Sequence, residues 1–137
     1  VNASAVISSG ISSGSRIRQR LHEDHQRGNV YAPECPSRAL LDHVTTRWGV
    51  LVLALLLGGP RRFGELTALV GGVSDKMLSQ TLKALTADGF VQRVVDDGPP
   101  VRVSYQLTDI GAEVASRVAD LVEWLEENVA SIEAARA

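Results

Sequence analysis

The stretch GGVSDKMLSQTLKALTADGF, residues 71–90, decides how this chain is read. Two glycines open it, Gly89 nearly closes it, and good helix formers lie between. Ser74 is a favoured N-cap residue, and Gly89 stands where a helix commonly stops. A helix from Ser74 to Ala87 puts Leu78, Leu82 and Leu85 on one side. Lys76, Ser79, Gln80 and Lys83 share the other, finished by the small residues Ala84 and Ala87. The apolar side demands a core. The polar side is an ordinary solvated face in an isolated helix, so its neighbours must decide whether it touches a partner.

On the N-terminal side lies RFGELTALVGG, residues 62–72, which puts Phe63, Leu66 and Val70 on one side of a short helix. Two short helices joined by a glycine turn make a helix-turn-helix pattern. On the C-terminal side come FVQRVV, DDGPP and VRVSYQL. Val91, Arg93 and Val95 alternate, as do Val101, Val103, Tyr105 and Leu107, which predicts a β-hairpin with its tip at residues 96–100. The fold expected is therefore mainly α with a small β-hairpin, a winged helix-turn-helix.

Further upstream, CPSRALLDHVTTRWGVLVLALLLGGP, residues 35–60, predicts two helices. Pro36 suits a first helical position, and Gly58, Gly59 and Pro60 end the second helix. Trp48–Leu57 is apolar nearly all round and reads as the central buried helix. At ten residues it is too short to span a bilayer, so no membrane role is expected.

Downstream, Thr108 caps a long helix. Ile110, Val114, Val118, Leu121, Leu125, Val129 and Ile132 follow an eleven-residue period, close to that of a straight helix. Such a stripe exceeds what a small domain covers. Its outer part is expected to pack on a second copy, making residues 108–134 a dimerisation helix. The other possibility is a helix lying along its own core.

The chain has 137 residues, a net charge of −2 and 4% aromatics, so Leu, Val and Ala must fill the core. The net charge misleads, because residues 110–137 hold six acids and two bases, whereas residues 60–108 hold six bases and five acids. The acid is concentrated in the last helix. Residues 1–30 read as a flexible, partly basic tail ahead of a folded domain at 31–137, with Ser/Gly-rich SSGISSGS followed by RIRQRLHEDHQRG. The N-terminus lacks the order of a signal peptide, and a cytoplasmic location is expected.

In a winged helix the second helix of the pair enters the major groove. Lys76, Ser79, Gln80 and Lys83 carry the donors and acceptors that base edges and phosphates require. Arg93 and Arg102 are the bases of the wing, opposed by Asp96 and Asp97 at its tip. Arg61 and Arg62 precede the motif as phosphate clamps or ordinary surface arginines. Cys35, just before Pro36, falls at a helix N-cap with Arg38 one turn away, a setting that favours a thiolate and redox or electrophile sensing. An inert small residue is the alternative. A single cysteine excludes an intrachain disulfide and a zinc site built on several thiolates. The HEDH stretch, His22–His25, has no further ligands in its tail and is not expected to bind metal, and His43 shows no partner. No glycine-rich phosphate loop, nucleophile elbow or paired catalytic carboxylates occur, so neither enzyme nor cofactor is expected.

Residues 35–130 resemble the HxlR family of bacterial transcriptional regulators, related in fold to MarR. The most specific pieces are CP at Cys35 and Pro36, RW at Arg47 and Trp48, RFGEL, SDKMLSQTLKALTADGFV and PPVRVSYQLTDIG. The resemblance implies a homodimer that binds a two-fold DNA operator, with dimer contacts from the terminal helices. It passes recognition-helix roles to Ser74, Lys76, Ser79, Gln80 and Lys83. Family members with a cysteine before the first helix include sensors of quinones, aldehydes or disulfide stress, the position of Cys35. The wing DDGPPVRVSY departs from the family pattern in its acids and in one extra residue after the prolines. A repressor is the expected sign of regulation. A winged helix that binds only protein, or a regulator answering a small ligand with Cys35 inert, are the other readings.

Overall fold

The computed structural model describes residues 27–136. The expected tail, residues 1–26 of it with the HEDH stretch, lies outside the described residues. Helices α1 (Pro36–Val44) and α2 (Arg47–Leu56) come first, then strand β1 (Arg61–Arg62) and helices α3 (Phe63–Leu69) and α4 (Asp75–Ala87). Strands β2 (Val91–Asp96) and β3 (Arg102–Leu107) follow, and α5 (Asp109–Arg136) closes the chain. Two compact units divide within α1, between Leu41 and Asp42. The first carries Cys35. The second holds the helix-turn-helix, the wing and α5.

The core of the second unit is a cluster of Val44, Val52, Leu53, Leu56, Leu66, Leu78, Leu82, Leu85, Phe90, Val91 and Ala115. The Leu78, Leu82 and Leu85 side of α4 is buried, as its spacing requires. Helix α2 packs against α5, α4 and β3. It is not buried all round, contrary to expectation: Gly49, Val52, Leu53 and Leu56 are buried, Val50, Leu51, Ala54 and Leu55 only partly, and Leu57 is exposed. An apolar helix in a domain this small meets neighbours on one side only.

Local chemistry sets the ends of the helices. Thr46 caps α2, its hydroxyl accepting from the Gly49 N–H at 3.0 Å. Ser74 caps α4 by accepting from the Met77 N–H at 3.1 Å. At the far end of α4 the Phe90 N–H donates to Leu85 O and the Gly89 N–H to Thr86 O, both at 3.0 Å. With Gly89 at φ 83° this is a Schellman stop, which turns the chain into the wing. Thr108 caps α5, accepting from the Gly111 N–H at 3.0 Å and donating to Gly89 O at 2.6 Å.

The sheet has three antiparallel strands in the order β1-β3-β2. The hairpin register pairs Val91 with Leu107, Arg93 with Tyr105 and Asp96 with Arg102, so the connecting loop runs over residues 97–101. The third strand is an addition to the expected hairpin: Arg61 pairs with Tyr105 and Arg62 with Ser104. Two residues are too few to show a period, so only tertiary pairing reveals this strand.

In α5 the expected single stripe divides. Gly111 and Ala115 are buried, and Val114 and Val118 pack against this chain's own core. Ile110, Leu121, Leu125 and Val129 are exposed, joined by Trp124, which the sequence pattern had left out.

Candidate nucleic-acid interface

Helix α4 presents Lys76, Ser79, Gln80 and Lys83 to solvent, with its N-terminus capped by Ser74. Its core side is fully engaged, so the helix has one orientation and one free face. Two grooves flank that face. One, of about 370 Å³, runs between α4 and the sheet and is lined by Ser79, Leu82, Lys83, Thr86, Ala87, Arg93 and Tyr105. The other, of about 180 Å³, lies toward α2 and is lined by His43, Thr46, Trp48, Met77, Gln80, Thr81 and Ala84. Arg47 stacks its guanidinium over Trp48, 5.4 Å from the ring centroid.

The structure separates the two wing arginines. Strand alternation places residues 91, 93 and 95 on one sheet face and 92, 94 and 96 on the other. Arg93 stands opposite Tyr105 and faces the α4 groove. Arg102 lies on the opposite face with Arg62, and together with Arg61 at the edge strand these line a depression of about 310 Å³. Glu65 and Asp96 line the same depression and offset part of its positive charge. Arg62 also starts α3, its backbone N–H donating to the Glu65 carboxylate at 2.7 Å. Asp96 turns back on the loop and accepts from the Gly98 N–H at 3.1 Å. Asp96 therefore does not share the face that carries Arg93.

His43, expected to be without a partner, has one. Its Nδ1 lies 2.5 Å from Oδ2 of Asp88, the C-cap residue of α4. The two are 45 residues apart in sequence, which hides the pair from any local pattern.

Cys35 is half-buried and directly precedes α1. Its sulfur lies 3.1 Å from the Ser37 hydroxyl and accepts from the Asn29 N–H at 3.2 Å. The Ser37 hydroxyl first, and then the Asn29 N–H, hold the thiol below its usual pKa. Desolvation and the Glu34 charge oppose them. The expected contribution of Arg38 is not among the causes; hydrogen bonds to sulfur do the work. Among the described residues no cluster of His, Cys, Asp and Glu is arranged to hold a metal ion, and no single helix is long and apolar enough to cross a membrane.

Sequence reasoning did not single out Thr86, Tyr105, Arg47 or Trp48 as site residues. Thr86 belongs to α4, the hairpin register brings Tyr105 beside it, and the start of α2 places Trp48 at the second groove with Arg47 stacked on its ring.

Helix, glycine turn, capped helix with a free polar face and a sheet beside it define a winged helix-turn-helix protein. The chain belongs to the HxlR-like helix-turn-helix family, whose match spans residues 43–133. It is 46% identical over 116 residues to the uncharacterised HTH-type transcriptional regulator YtfH of Escherichia coli, covering 85% of this chain and 92% of that one. The solved YtfH of Salmonella typhimurium superposes with a TM-score of 0.74 at 48% identity, over 80% of this chain and 98% of the other. The diamide-treated structure of YodB from Bacillus subtilis matches with a TM-score of 0.59 at 31% identity, over 70% and 96% of the two chains. The protein is thus a transcriptional regulator of the HxlR and MarR-like type, not an enzyme, and its family implies DNA binding.

Proposed function

We propose that this chain is a homodimeric repressor that binds a two-fold operator, with α4 of each protomer in successive major grooves about 34 Å apart. The observation that carries the reading is the free face of α4, where Lys76, Ser79, Gln80 and Lys83 are all exposed on a helix locked from behind by Leu78, Leu82 and Leu85. Gln80 suits adenine, the lysines suit guanine or phosphate, and Ser79 suits either. Arg61, Arg62, Arg93 and Arg102 add phosphate contacts from the sheet. The exposed residues of α5 are the surface for the second copy.

Footprinting on DNA next to the protein's own gene tests the reading. Protection is expected over a two-fold site and is expected to weaken steeply as salt rises. Lys76→Ala and Lys83→Ala should each lower the salt slope by about one. No protection at low salt overturns the proposal.

Cys35 is the proposed switch, sensing an oxidant or electrophile. Its lowered pKa supports a reactive thiolate, and YodB has been solved in both reduced and diamide-treated forms. With one cysteine per chain, a disulfide formed by diamide joins two chains, or a chain and a small thiol. Diamide is expected to change the band on a non-reducing gel and to release operator DNA. If Cys35→Ser leaves both responses in place, the switch lies elsewhere.

A further inference from the structure

We propose that the groove between α4 and the sheet seats one DNA phosphodiester per half-site, held by Lys83 and Arg93 as cations and by the hydroxyls of Thr86 and Tyr105. The inference rests on the DNA-binding reading and assigns it a contact site. Lys83 and Thr86 come from the helix, three residues apart, and Arg93 and Tyr105 come from the sheet as directly opposed cross-strand partners. The register thus brings two donors from each wall to one cavity of about 370 Å³.

Three properties point to an anion. Among the described residues, neither Lys83 nor Arg93 makes an ion pair, and no carboxylate lines the groove. The hydroxyls of Ser79, Thr86 and Tyr105 make no hydrogen bond within the described residues, although threonines and serines elsewhere, such as Thr67 and Ser116, bond helix carbonyls. Five groups able to donate therefore surround one space and are unused. The groove toward α2 and the depression around Arg102 lack that balance: no lysine or arginine lines the first, and Glu65 and Asp96 enter the second.

A backbone phosphate is the anion that the position favours. The groove shares Ser79 and Lys83 with the reading face of α4. With such a helix in the major groove, one sugar–phosphate strand runs along its flank, where cations and hydroxyls bind it without reading sequence.

The test uses the full-length protein and an operator fragment that the wild type protects. Tyr105→Phe and Thr86→Val remove a hydroxyl and little else, and circular dichroism checks that each still folds. Each is expected to weaken binding about tenfold, the order for a hydroxyl bonded to an anion, equally on the operator and on a scrambled sequence. Arg93→Gln should lower the salt slope by about one. A methylphosphonate at one phosphate per half-site should weaken the wild type by a similar factor and leave Tyr105→Phe no weaker than before.

Folded Tyr105→Phe and Thr86→Val proteins that bind like the wild type overturn the groove while leaving the DNA-binding reading intact. A loss confined to the specific sequence also overturns it, because it marks base readout. Inorganic phosphate that weakens operator binding at constant ionic strength only when Tyr105 is present, with Tyr105→Phe otherwise equal to wild type, assigns the groove to a free anion and overturns the proposal. A wild type that binds no DNA under any condition removes the DNA-binding reading and this one together.

Discussion

At Gly111 an added Cβ would lie 1.8 Å from the carbonyl oxygen of Phe90. The contact is to backbone, so no side-chain rotation relieves it. Gly111→Ala must push α5 away from the root of the wing, and urea denaturation is expected to show a loss of 2 kcal/mol or more, roughly the scale of an overpacked core site. Gly49 is similar, with its added Cβ 2.4 Å from His43 O. Gly59 meets nothing within 4 Å and is held instead by its φ of 123°. Cys35 makes a different prediction at the same scale. A thiol held below its usual pKa is deprotonated at lower pH, so its alkylation by iodoacetamide should rise at lower pH than that of a free cysteine. Removing the largest cause of the shift, by Ser37→Ala, should move that rise back to higher pH. An unchanged profile in Ser37→Ala means that the hydroxyl does not hold the thiolate.

Helix α4 is fixed at both ends, and each end has a measurable consequence. Ser74→Ala leaves the Met77 N–H without its acceptor and should cost about 1 kcal/mol in urea denaturation. At the other end stands Asp88, an acid at a helix C-terminus, where the macrodipole disfavours it. The His43 imidazole beside it offsets that cost and ties the end of α4 to the end of α1. Asp88→Ala should therefore destabilise by about 1 kcal/mol, less the dipole relief, and His43→Asn should destabilise less than His43→Ala because it keeps a donor near Nδ1. Equal losses for the two His43 variants would show that the ring packs there rather than bonds. The element boundaries of α4 were legible in the sequence because caps and stops are local chemistry. The partner of Asp88 was not legible, since 45 residues separate the pair. In the sheet, the alternation of β2 and β3 was legible, but not its outcome, which sends Arg93 toward α4 and Arg102 away from it.

Over the whole molecule, charge and apolar surface are both partitioned. Helix α5 carries far more acids than bases, while Lys76 and Lys83 stand on α4 and Arg61, Arg62, Arg93 and Arg102 on the sheet, so a chain of net charge −2 still presents a face suited to DNA. Beyond Val118, α5 leaves Leu121, Trp124, Leu125 and Val129 exposed, with Trp124 at 52% and Leu125 at 47%. A patch of that kind marks an interaction surface, and a second copy is the expected occupant. Leu125→Glu is expected to give a monomer by analytical ultracentrifugation and to lower operator affinity by an order of magnitude or more, since one protomer then binds one half-site. A dimer that survives both Leu125→Glu and Trp124→Glu places the interface elsewhere.

The amino-acid sequence alone determined the helix-turn-helix, its caps, the hairpin and the side of α4 left free, because each rests on spacing and terminal chemistry within a few residues. The tertiary structure decided the rest. It divided the α5 stripe between the core and the surface, added β1 to the sheet, paired His43 with Asp88 and chose which arginine shares a groove with Lys83. Those outcomes depend on which distant segments meet, and a local period has no information about that.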